Sequence, residues 1–152
     1  VVRQAVLGLP AEADPRALPR ATYTDPELAH VGLTEAEART AHGEALTVVR
    51  AEFAHKDRAQ AEGKTKGLIK VMVVKGRPVG ASIVGPQAGE LIGLWALAIS
   101  ARLKMSAIAG MVAPYPTLGE VSKRAAGAYF SPKLFENPAL KRLVRFVQRW
   151  VP

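Results

Sequence analysis

A pair of apolar segments joined by a short turn constrains the fold of this chain more than any other feature. Residues Gly67–Val74 are apolar on both faces except at Lys70, which predicts a long strand. The sequence Lys75-Gly76-Arg77-Pro78 supplies turn residues, and Val79–Val84 then predicts the returning strand of a hairpin. The chain is therefore expected to contain an antiparallel sheet.

The other predicted strands lie near the start of the chain, and most predicted helices lie towards its end. Short strands are predicted at Ala21–Thr24 and Leu46–Phe53. Residues Thr34-Glu35-Ala36-Glu37 have the capping-box spacing that opens a helix to about His42. Because regular βαβ alternation is missing, we predict an α+β fold with a mostly antiparallel sheet covered by helices on one face. The helices predicted after the hairpin are Ala88–Leu103, Ser106–Met111, Leu118–Ala128 and Pro138–Trp150.

The longest of these helices, Ala88–Leu103, is apolar nearly all round. A helix without a polar face belongs in a core or in an interface between molecules. Its most apolar run, Leu91–Ala101, is shorter than the roughly 20 residues that span a bilayer. We therefore expect no transmembrane segment.

Length and composition indicate one folded domain from a longer protein. The chain has 152 residues, 49% of them hydrophobic, so it can bury a core. It begins at Val1 instead of methionine, from which we expect a longer parent. We divide it into a proline-rich lead-in over residues 1–20, a folded domain over 21–130 and a basic amphipathic helix over 131–152.

The chain has no cysteine, which excludes disulfides and thiolate metal sites, and we expect a cytoplasmic location.

Positive charge is concentrated in the last part of the chain. The net charge is +8, and Glu136 is the only acidic residue after Val121. A basic helix of this kind can bind nucleic acid or anionic lipid, or it can be an ordinary solvated face. In the predicted last helix Leu140, Leu143, Val144 and Val147 share one side, and the other side carries Lys141, Arg142, Arg145 and Arg149.

A tyrosine between two prolines is the strongest candidate site. Pro114 and Pro116 fix their own backbone angles and restrict the residue before each, so Tyr115 lies on a rigid turn and the Tyr115–Pro116 bond is a candidate for the cis form. Thr117 and Glu120 then have the capping-box spacing that starts a helix. A turn that displays a phenol beside a carboxylate is either a functional site or a well-capped corner.

Several familiar sites are excluded by the residues. Gly63-Lys64-Thr65 resembles the end of a phosphate-binding loop, but Arg58 stands where that loop needs a glycine. No Gly-x-Gly-x-x-Gly sequence is present, so the chain encodes no dinucleotide-binding turn. The three histidines, His30, His42 and His55, share no metal-ligand spacing, and we expect no metal site.

Four segments carry a family resemblance. The first is Tyr23–Glu35, with the sequence Tyr-Thr-Asp-Pro-Glu-Leu-Ala-His-Val-Gly-Leu-Thr-Glu, and it is followed in order by Gly63–Lys70, Val79–Glu90 and Tyr115–Glu120. Together they resemble the C-terminal dimerisation domain of the pyridine nucleotide-disulfide oxidoreductases, which include dihydrolipoamide dehydrogenase, glutathione reductase and mercuric reductase. The resemblance covers about residues 20–130.

The resemblance implies a parent enzyme that is an FAD-dependent homodimer. Its FAD domain and its NAD(P)H domain lie outside this chain, which is expected to bind no cofactor and to be inactive alone. The resemblance also implies that the Tyr115–Pro116 turn and Glu120 reach the partner's flavin and disulfide site. On this interpretation Tyr115 and Glu120 are catalytic in trans, and Tyr115 and Pro116 contact the partner's FAD.

The chain departs from the family at the turn itself. Tyr115 stands where typical members have a histidine that serves as acid–base and is oriented by the glutamate. A phenol has an ordinary pKa of about 10, so it is a poor base at neutral pH and a good hydrogen-bond donor. Two alternatives stay open: Tyr115 can be a structural phenol, and Glu120 only a helix cap. Mercuric reductase also has a tyrosine near this turn, but this chain lacks the C-terminal cysteine pair that receives the metal.

A different function is a stand-alone binding module. In that case the basic C-terminal helix would bind nucleic acid or an acidic membrane surface. The only aromatic residues interleaved with its charges are Phe146 and Trp150, which we interpret as packing residues, and this argues against nucleic acid. We therefore expect a homodimer and no nucleic-acid partner.

Overall fold

The fold is an antiparallel sheet with helices packed on it. In the computed structural model, residues 2–9, 14–132 and 138–150 are described. The strands form one five-stranded sheet in the order β1-β2-β5-β4-β3, and every pairing is antiparallel. Their bounds are β1 Arg20–Thr22, β2 Glu27–Gly32, β3 Leu46–Glu52, β4 Leu68–Val74 and β5 Arg77–Gly85.

The longest helices follow the strands along the chain, whereas three short α-helices and three 3-10 turns of the described residues lie before or between the strands. Single 3-10 turns lie at Pro15–Ala17, Gly43–Ala45 and Phe53–His55. The α-helices are α1 Val2–Leu7, α2 Glu35–His42, α3 Asp57–Ala61, α4 Ala88–Ser100, α5 Met105–Gly110, α6 Glu120–Ala128 and α7 Pro138–Trp150. The predicted α+β class, with a mostly antiparallel sheet covered by helices, is confirmed.

The predicted hairpin forms the centre of the sheet. Strands β4 and β5 pair from Leu68 with Val84 to Val74 with Arg77, with a bulge at Met72/Val73. The turn between them has two consecutive residues with positive φ, Lys75 at 49° and Gly76 at 76°. That backbone matches the type I′ turns whose twist suits antiparallel strands.

The main core lies between one face of the sheet and two helices. Helix α4 packs on β2 and β5, and α6 packs on β3 and β4. Trp95 of α4 is fully buried, and its indole Nε1 donates a 3.1 Å hydrogen bond to Oγ of Ser122 in α6. Ser122 is the buried polar residue of this core, so the two helices are joined at its centre by one satisfied pair.

The opposite face of the sheet is not bare, contrary to the prediction that helices cover only one face. The carboxylate of Glu35 in α2 forms an ion pair with Lys70 of β4, with Oε2 and Nζ 3.0 Å apart. Lys70 alternates with the core residues Ile69 and Val71, so its side chain emerges on the other face. Helix α2 begins with the predicted capping box of Thr34 and Glu37, and its residue Ala38 is fully buried.

Some element boundaries differ from the sequence prediction. Strand β2 was not predicted, because the Asp25–Pro26 turn signal and the polar His30 obscured its alternation. Helix α4 ends at Ser100 instead of Leu103, since Arg102 adopts a left-handed φ of 52° that stops the helix. Helix α5 runs from Met105 to Gly110 instead of from Ser106 to Met111, and Phe53 begins a 3-10 turn instead of ending a strand.

A close backbone approach at Gly80 predicts a strong intolerance to side chains. A Cβ atom at Gly80 would lie 1.9 Å from the carbonyl oxygen of Leu33, and Leu33 itself donates to the Val79 carbonyl at 2.9 Å. We expect Gly80→Ala to lower the free energy of unfolding by about 1–3 kcal/mol, because β2 and its following loop must move away. Urea unfolding measures the change.

The matched control is Gly127→Ala in α6. A Cβ there meets no atom within 4 Å, and alanine is the better helix former. This variant is expected to be neutral or slightly stabilising. Equal losses of stability in both variants would contradict the steric account of Gly80.

Candidate functional site

The proline turn lies between α5 and α6 and holds Tyr115 outward. The Tyr115–Pro116 bond is cis, as expected, and so is the Asp25–Pro26 bond, which was not predicted. The hydroxyl of Thr117 donates a 2.8 Å hydrogen bond to the Pro114 carbonyl and so closes the turn. The side chain of Tyr115 is 70% exposed. The turn is therefore fixed by local bonds while its phenol remains accessible.

The capping box predicted after the turn forms only in half. The backbone N–H of Thr117 donates to Oε2 of Glu120 at 3.4 Å, as a capping box requires. The Thr117 hydroxyl is used by the Pro114 carbonyl and caps no helical N–H, so α6 begins at Glu120 with Gly119 as its N-cap. Glu120 thus bonds the turn backbone.

The phenol of Tyr115 pairs with a carboxylate that the sequence interpretation did not identify. Its hydroxyl donates a 2.5 Å hydrogen bond to Oδ2 of Asp57, the first residue of α3. The two residues are 58 positions apart. An acidic residue in the first turn of a short helix has an ordinary explanation in the helix dipole, so nothing in the sequence marked Asp57 as a site residue.

The environment of Tyr115 keeps its phenol protonated. The hydrogen bond to Asp57 is the largest cause of a raised Tyr115 pKa, followed by the negative charge of that carboxylate. The charge of Glu120 raises the Tyr115 pKa further, as the smallest cause. A phenol with a raised pKa is a hydrogen-bond donor at neutral pH and is unsuited to act as a base.

The structure therefore brings Tyr115 and Asp57 together, with Glu120 as a neighbouring charge. In the part of the chain that is described, the hydroxyl of Tyr115 bonds Asp57, and Glu120 bonds the backbone of Thr117. In the typical family pattern the glutamate orients the residue before the proline, whereas in this chain Asp57 bonds that residue and Glu120 bonds the backbone of Thr117.

The titration of Tyr115 provides a direct check of this pairing. A raised folded-state pKa means that the bond to Asp57 contributes to stability below the ordinary value of 10.0 and is lost as the pH rises through the folded pKa. Ultraviolet titration follows the phenolate, and subtracting the spectra of Tyr115→Phe from those of the unmodified chain isolates Tyr115. This difference is expected to show ionisation above pH 10. In Asp57→Asn the Tyr115 pKa should fall back towards its ordinary value, and Glu120→Gln should change it much less. An equal effect of both variants would show that the hydrogen bond is not the main cause.

The histidines form no site within the described residues. His30 lies in β2, with Nδ1 2.9 Å from Oγ of Ser82 and Nε2 2.9 Å from the Gly32 carbonyl. Both ring nitrogens are therefore hydrogen-bonded to residues of the sheet. His55 lies 3.7 Å from Glu52 on an exposed surface. Over residues 2–9, 14–132 and 138–150, no group of three His, Cys, Asp or Glu side chains is placed to hold a metal ion.

A groove of about 570 Å³ lies away from the turn, where the lead-in returns to the domain. Two of the three arginines that line it are engaged: Arg16 pairs with Asp14 at 2.7 Å, and the Arg77 guanidinium donates to the Arg102 carbonyl. The remaining lining is largely apolar, with Leu33, Val79 and Ile99. This groove shares no residue with the Tyr115 turn.

Comparison with known proteins identifies the domain. The model of the family described as "Pyridine nucleotide-disulphide oxidoreductase, dimerisation domain" matches residues 18–126. The chain is 38% identical over 130 residues to dihydrolipoyl dehydrogenase 3 of Haloarcula marismortui, covering 83% of this chain and 27% of that protein. It is 37% identical over 130 residues to dihydrolipoyl dehydrogenase of Bacillus subtilis, with the same two coverages.

Solved structures show the same similarity. LpdA from Mycobacterium tuberculosis matches with a TM-score of 0.74 and 26% identity, over 82% of this chain and 28% of that one. The HOCl-induced flavoprotein disulfide reductase RclA from Escherichia coli matches with a TM-score of 0.75 and 27% identity, over 83% and 30%. The chain thus spans about a quarter of the length of its curated relatives. It belongs to the pyridine nucleotide-disulfide oxidoreductase family, of which it carries the dimerisation domain.

Proposed function

We propose that this chain joins two subunits of an FAD-dependent NAD(P)H oxidoreductase and brings the Tyr115–Pro116 turn to the partner subunit's flavin. The observation that carries the proposal is an exposed phenol, fixed on a closed proline turn and held by Asp57, in a dimerisation domain. We divide the chain as before, with residues 1–20 as lead-in, 21–130 as the dimerisation domain and 131–152 as a separate basic helix. We place the enzyme in the cytoplasm, where pyridine nucleotides supply reducing equivalents.

The outer face of α4 supports a role in pairing the subunits. Trp95 and Ile92 point into the core, while Leu97 on the outer side is 59% exposed. Gly93, one turn before Leu97, is exposed and has open space around it, so another helix backbone can approach closely. Val112, just before the proline turn, is 96% exposed. Apolar side chains left open at both places are suited to burial against a second copy.

The turn has the features needed to contact a flavin from outside the chain. Its phenol is exposed, its backbone is closed by the Thr117–Pro114 bond, and Tyr115 is kept protonated by Asp57. FAD, when bound in the partner subunit, supplies the redox chemistry. Tyr115 would donate a hydrogen bond to an acceptor at that site and would not remove a proton from a thiol as a histidine can.

Asp57 takes the orienting role in this proposal. Its carboxylate holds the phenol at 2.5 Å and fixes the direction of the O–H bond until an acceptor from the partner competes for it. Glu120 holds the Thr117 N–H and contributes negative charge. Tyr115 and Pro116 are therefore the contact residues, and Asp57 and Glu120 position them.

The relatives of the chain indicate a substrate class for the parent enzyme. Its curated relatives are dihydrolipoyl dehydrogenases, which supports disulfide or dithiol chemistry with FAD and NAD(P)H. A mercuric-reductase-like character is supported only by the tyrosine at the turn. The fragment alone, without the domains that bind the cofactors in this proposal, is expected to be inactive.

Removing the phenol oxygen tests the role of the turn in the full-length flavoenzyme. We expect Tyr115→Phe to lower kcat about tenfold or more, because a positioned hydrogen-bond donor near developing charge is lost. The flavin absorbance spectrum should also change, since the donor lies at its edge. Turnover and flavin spectra of the purified enzyme measure both effects.

The control is Tyr23→Phe, which removes an exposed phenol elsewhere in the same domain. It should leave turnover and flavin absorbance unchanged. If Tyr115→Phe also leaves both unchanged, the turn does not reach the partner's flavin.

The alternative, a binding module that uses the basic helix, concerns a different part of the chain. Each described side chain of α7 is exposed in the single chain, so this helix is available to a partner. The side chains of α7 favour an acidic membrane surface over nucleic acid.

A further inference from the structure

The last helix, α7, presents an apolar face to solvent. The large apolar side chains described there are all exposed: Val144 45%, Phe146 63%, Val147 48% and Trp150 73%. The interpretation of Phe146 and Trp150 as packing residues is therefore wrong for the single chain. Val144 and Val147 are three residues apart and Phe146 and Trp150 are four apart, and at about 100° per residue all four fall on one broad side of the helix. The rings of Phe146 and Trp150 lie with centroids 6.2 Å apart, so the two aromatics form one continuous patch. Such a face is costly to leave in water.

The other side of α7 carries only positive charge. Its four cations lie at intervals of one to four residues along the helix, and the sequence of 138–150 contains no acidic residue. In the described part of the chain, none of their side chains forms a hydrogen bond or a salt bridge. Four free cations therefore border the apolar face: Lys141, Arg142, Arg145 and Arg149.

We propose that α7 binds an anionic membrane surface and lies in the plane of the lipid headgroups. An amphipathic helix with a Lys- and Arg-rich polar face and Trp and Phe on the other face has the composition of interfacial helices. Trp150 and Phe146 would sit at the boundary of headgroups and acyl chains, where aromatic rings are favoured. The cations would extend their apolar stems along the surface and reach the lipid phosphates.

The length of α7 fixes its orientation on the membrane. It has 13 residues, which at 1.5 Å per residue span about 20 Å, short of the roughly 30 Å of a hydrocarbon core. No helix among the described residues is long and apolar enough to cross a bilayer. The helix therefore lies along the surface and tethers the domain to it without spanning it.

A membrane surface uses both faces of α7, and nucleic acid uses only one. A nucleic acid would neutralise the cations through its phosphates but would leave Val144, Val147 and Trp150 in water. A second copy of α7 could cover the apolar face, but it would place eight cations near one another without a counter-charge. Anionic lipid matches the apolar face and the charge at the same time.

Vesicle binding by the full 152-residue chain tests the proposal. The chain is sedimented with vesicles of phosphatidylcholine mixed with phosphatidylglycerol, and with vesicles of phosphatidylcholine alone. We expect binding at least about tenfold tighter to the anionic vesicles, because each cation near an anionic surface contributes roughly fivefold. Binding should weaken in high salt, and helix content by circular dichroism should rise on the vesicles, since an isolated helix of this length is marginal in water.

Two variants separate the two faces. Replacing Arg142, Arg145 and Arg149 together by glutamate is expected to abolish the preference for anionic vesicles. The control with the same change in net charge, Lys64→Glu with Lys66→Glu and Lys104→Glu, alters exposed cations of the folded domain and should retain it. Val144→Ser with Val147→Ser keeps all charges but should weaken binding at least about tenfold, since apolar burial is lost.

Three results would overturn the proposal. Equal loss of binding in the arginine variant and its control would indicate general electrostatic adsorption. Full binding by the Val144/Val147 variant would mean that the apolar face does not enter the lipid. Tighter binding to duplex DNA than to anionic vesicles, at equal salt, would assign α7 to nucleic acid. Each readout is independent of whether the domain forms a dimer.

Discussion

Replacing Trp95 by alanine is expected to lower the free energy of unfolding by about 3–5 kcal/mol, the range for removing a large aromatic from a packed core. Trp95 is completely buried between the sheet and α6, and it is the largest fully buried side chain described. Its removal leaves a cavity at the junction of α4 and the sheet and leaves Ser122 without its indole partner. Urea unfolding followed by circular dichroism measures the loss.

The same substitution at Trp150 is the matched control. That tryptophan is exposed on α7, so Trp150→Ala should change the free energy of unfolding by no more than about 0.5 kcal/mol. Ser122→Ala should fall between the two, at about 1–3 kcal/mol, because the buried indole N–H is then unpaired. A small effect of Trp95→Ala, close to that of Trp150→Ala, would show that α4 is not anchored to the core through this residue.

Much of the fold could be predicted because local patterns and long-range packing agree there. The hairpin of β4 and β5 has apolar strands, turn residues and the Gly76 backbone that its turn needs, so each signal points to the same structure. The capping box of Thr34 and Glu37 was predicted for the same reason, since both of its bonds are local. These elements need no knowledge of distant residues.

The parts that escaped prediction depend on distant partners. Strand β2 is stabilised by pairing with β5, some 50 residues away, and its own sequence begins with turn residues. Glu27 contributes a further long-range bond, since its Oε2 accepts the Gly89 N–H at the start of α4. Asp57 belongs to the candidate site only because α3 is folded against the Tyr115 turn. Neither contact leaves a periodic or motif signal in the sequence.

Replacing Leu97 by glutamate is expected to weaken self-association of the chain by at least about a hundredfold while leaving the monomer folded. Leu97 projects from the outer face of α4, where the proposed subunit interface lies, and it is already exposed in the single chain. Burying an unpaired carboxylate in an apolar interface costs about 3 kcal/mol or more, which is a factor of about a hundred in the dissociation constant. Sedimentation velocity over a concentration series measures the association, and circular dichroism confirms the fold.

Leu28→Glu is the control for this substitution. Leu28 is also an exposed leucine, but it lies in β2 and alternates with Ala29, which faces the core beneath α4. Its side chain therefore points away from the proposed interface. Loss of association in Leu28→Glu but not in Leu97→Glu would move the interface to the opposite face of the sheet.

Sedimentation equilibrium of the unmodified chain tests the central claim most directly, namely that this domain joins two subunits. The chain mass is 16.2 kDa, and the account predicts a single species of twice that mass at micromolar concentrations. A mass of one chain at the highest concentration reached would contradict a self-sufficient interface on α4 and the placement of Tyr115 at a partner's site that depends on it.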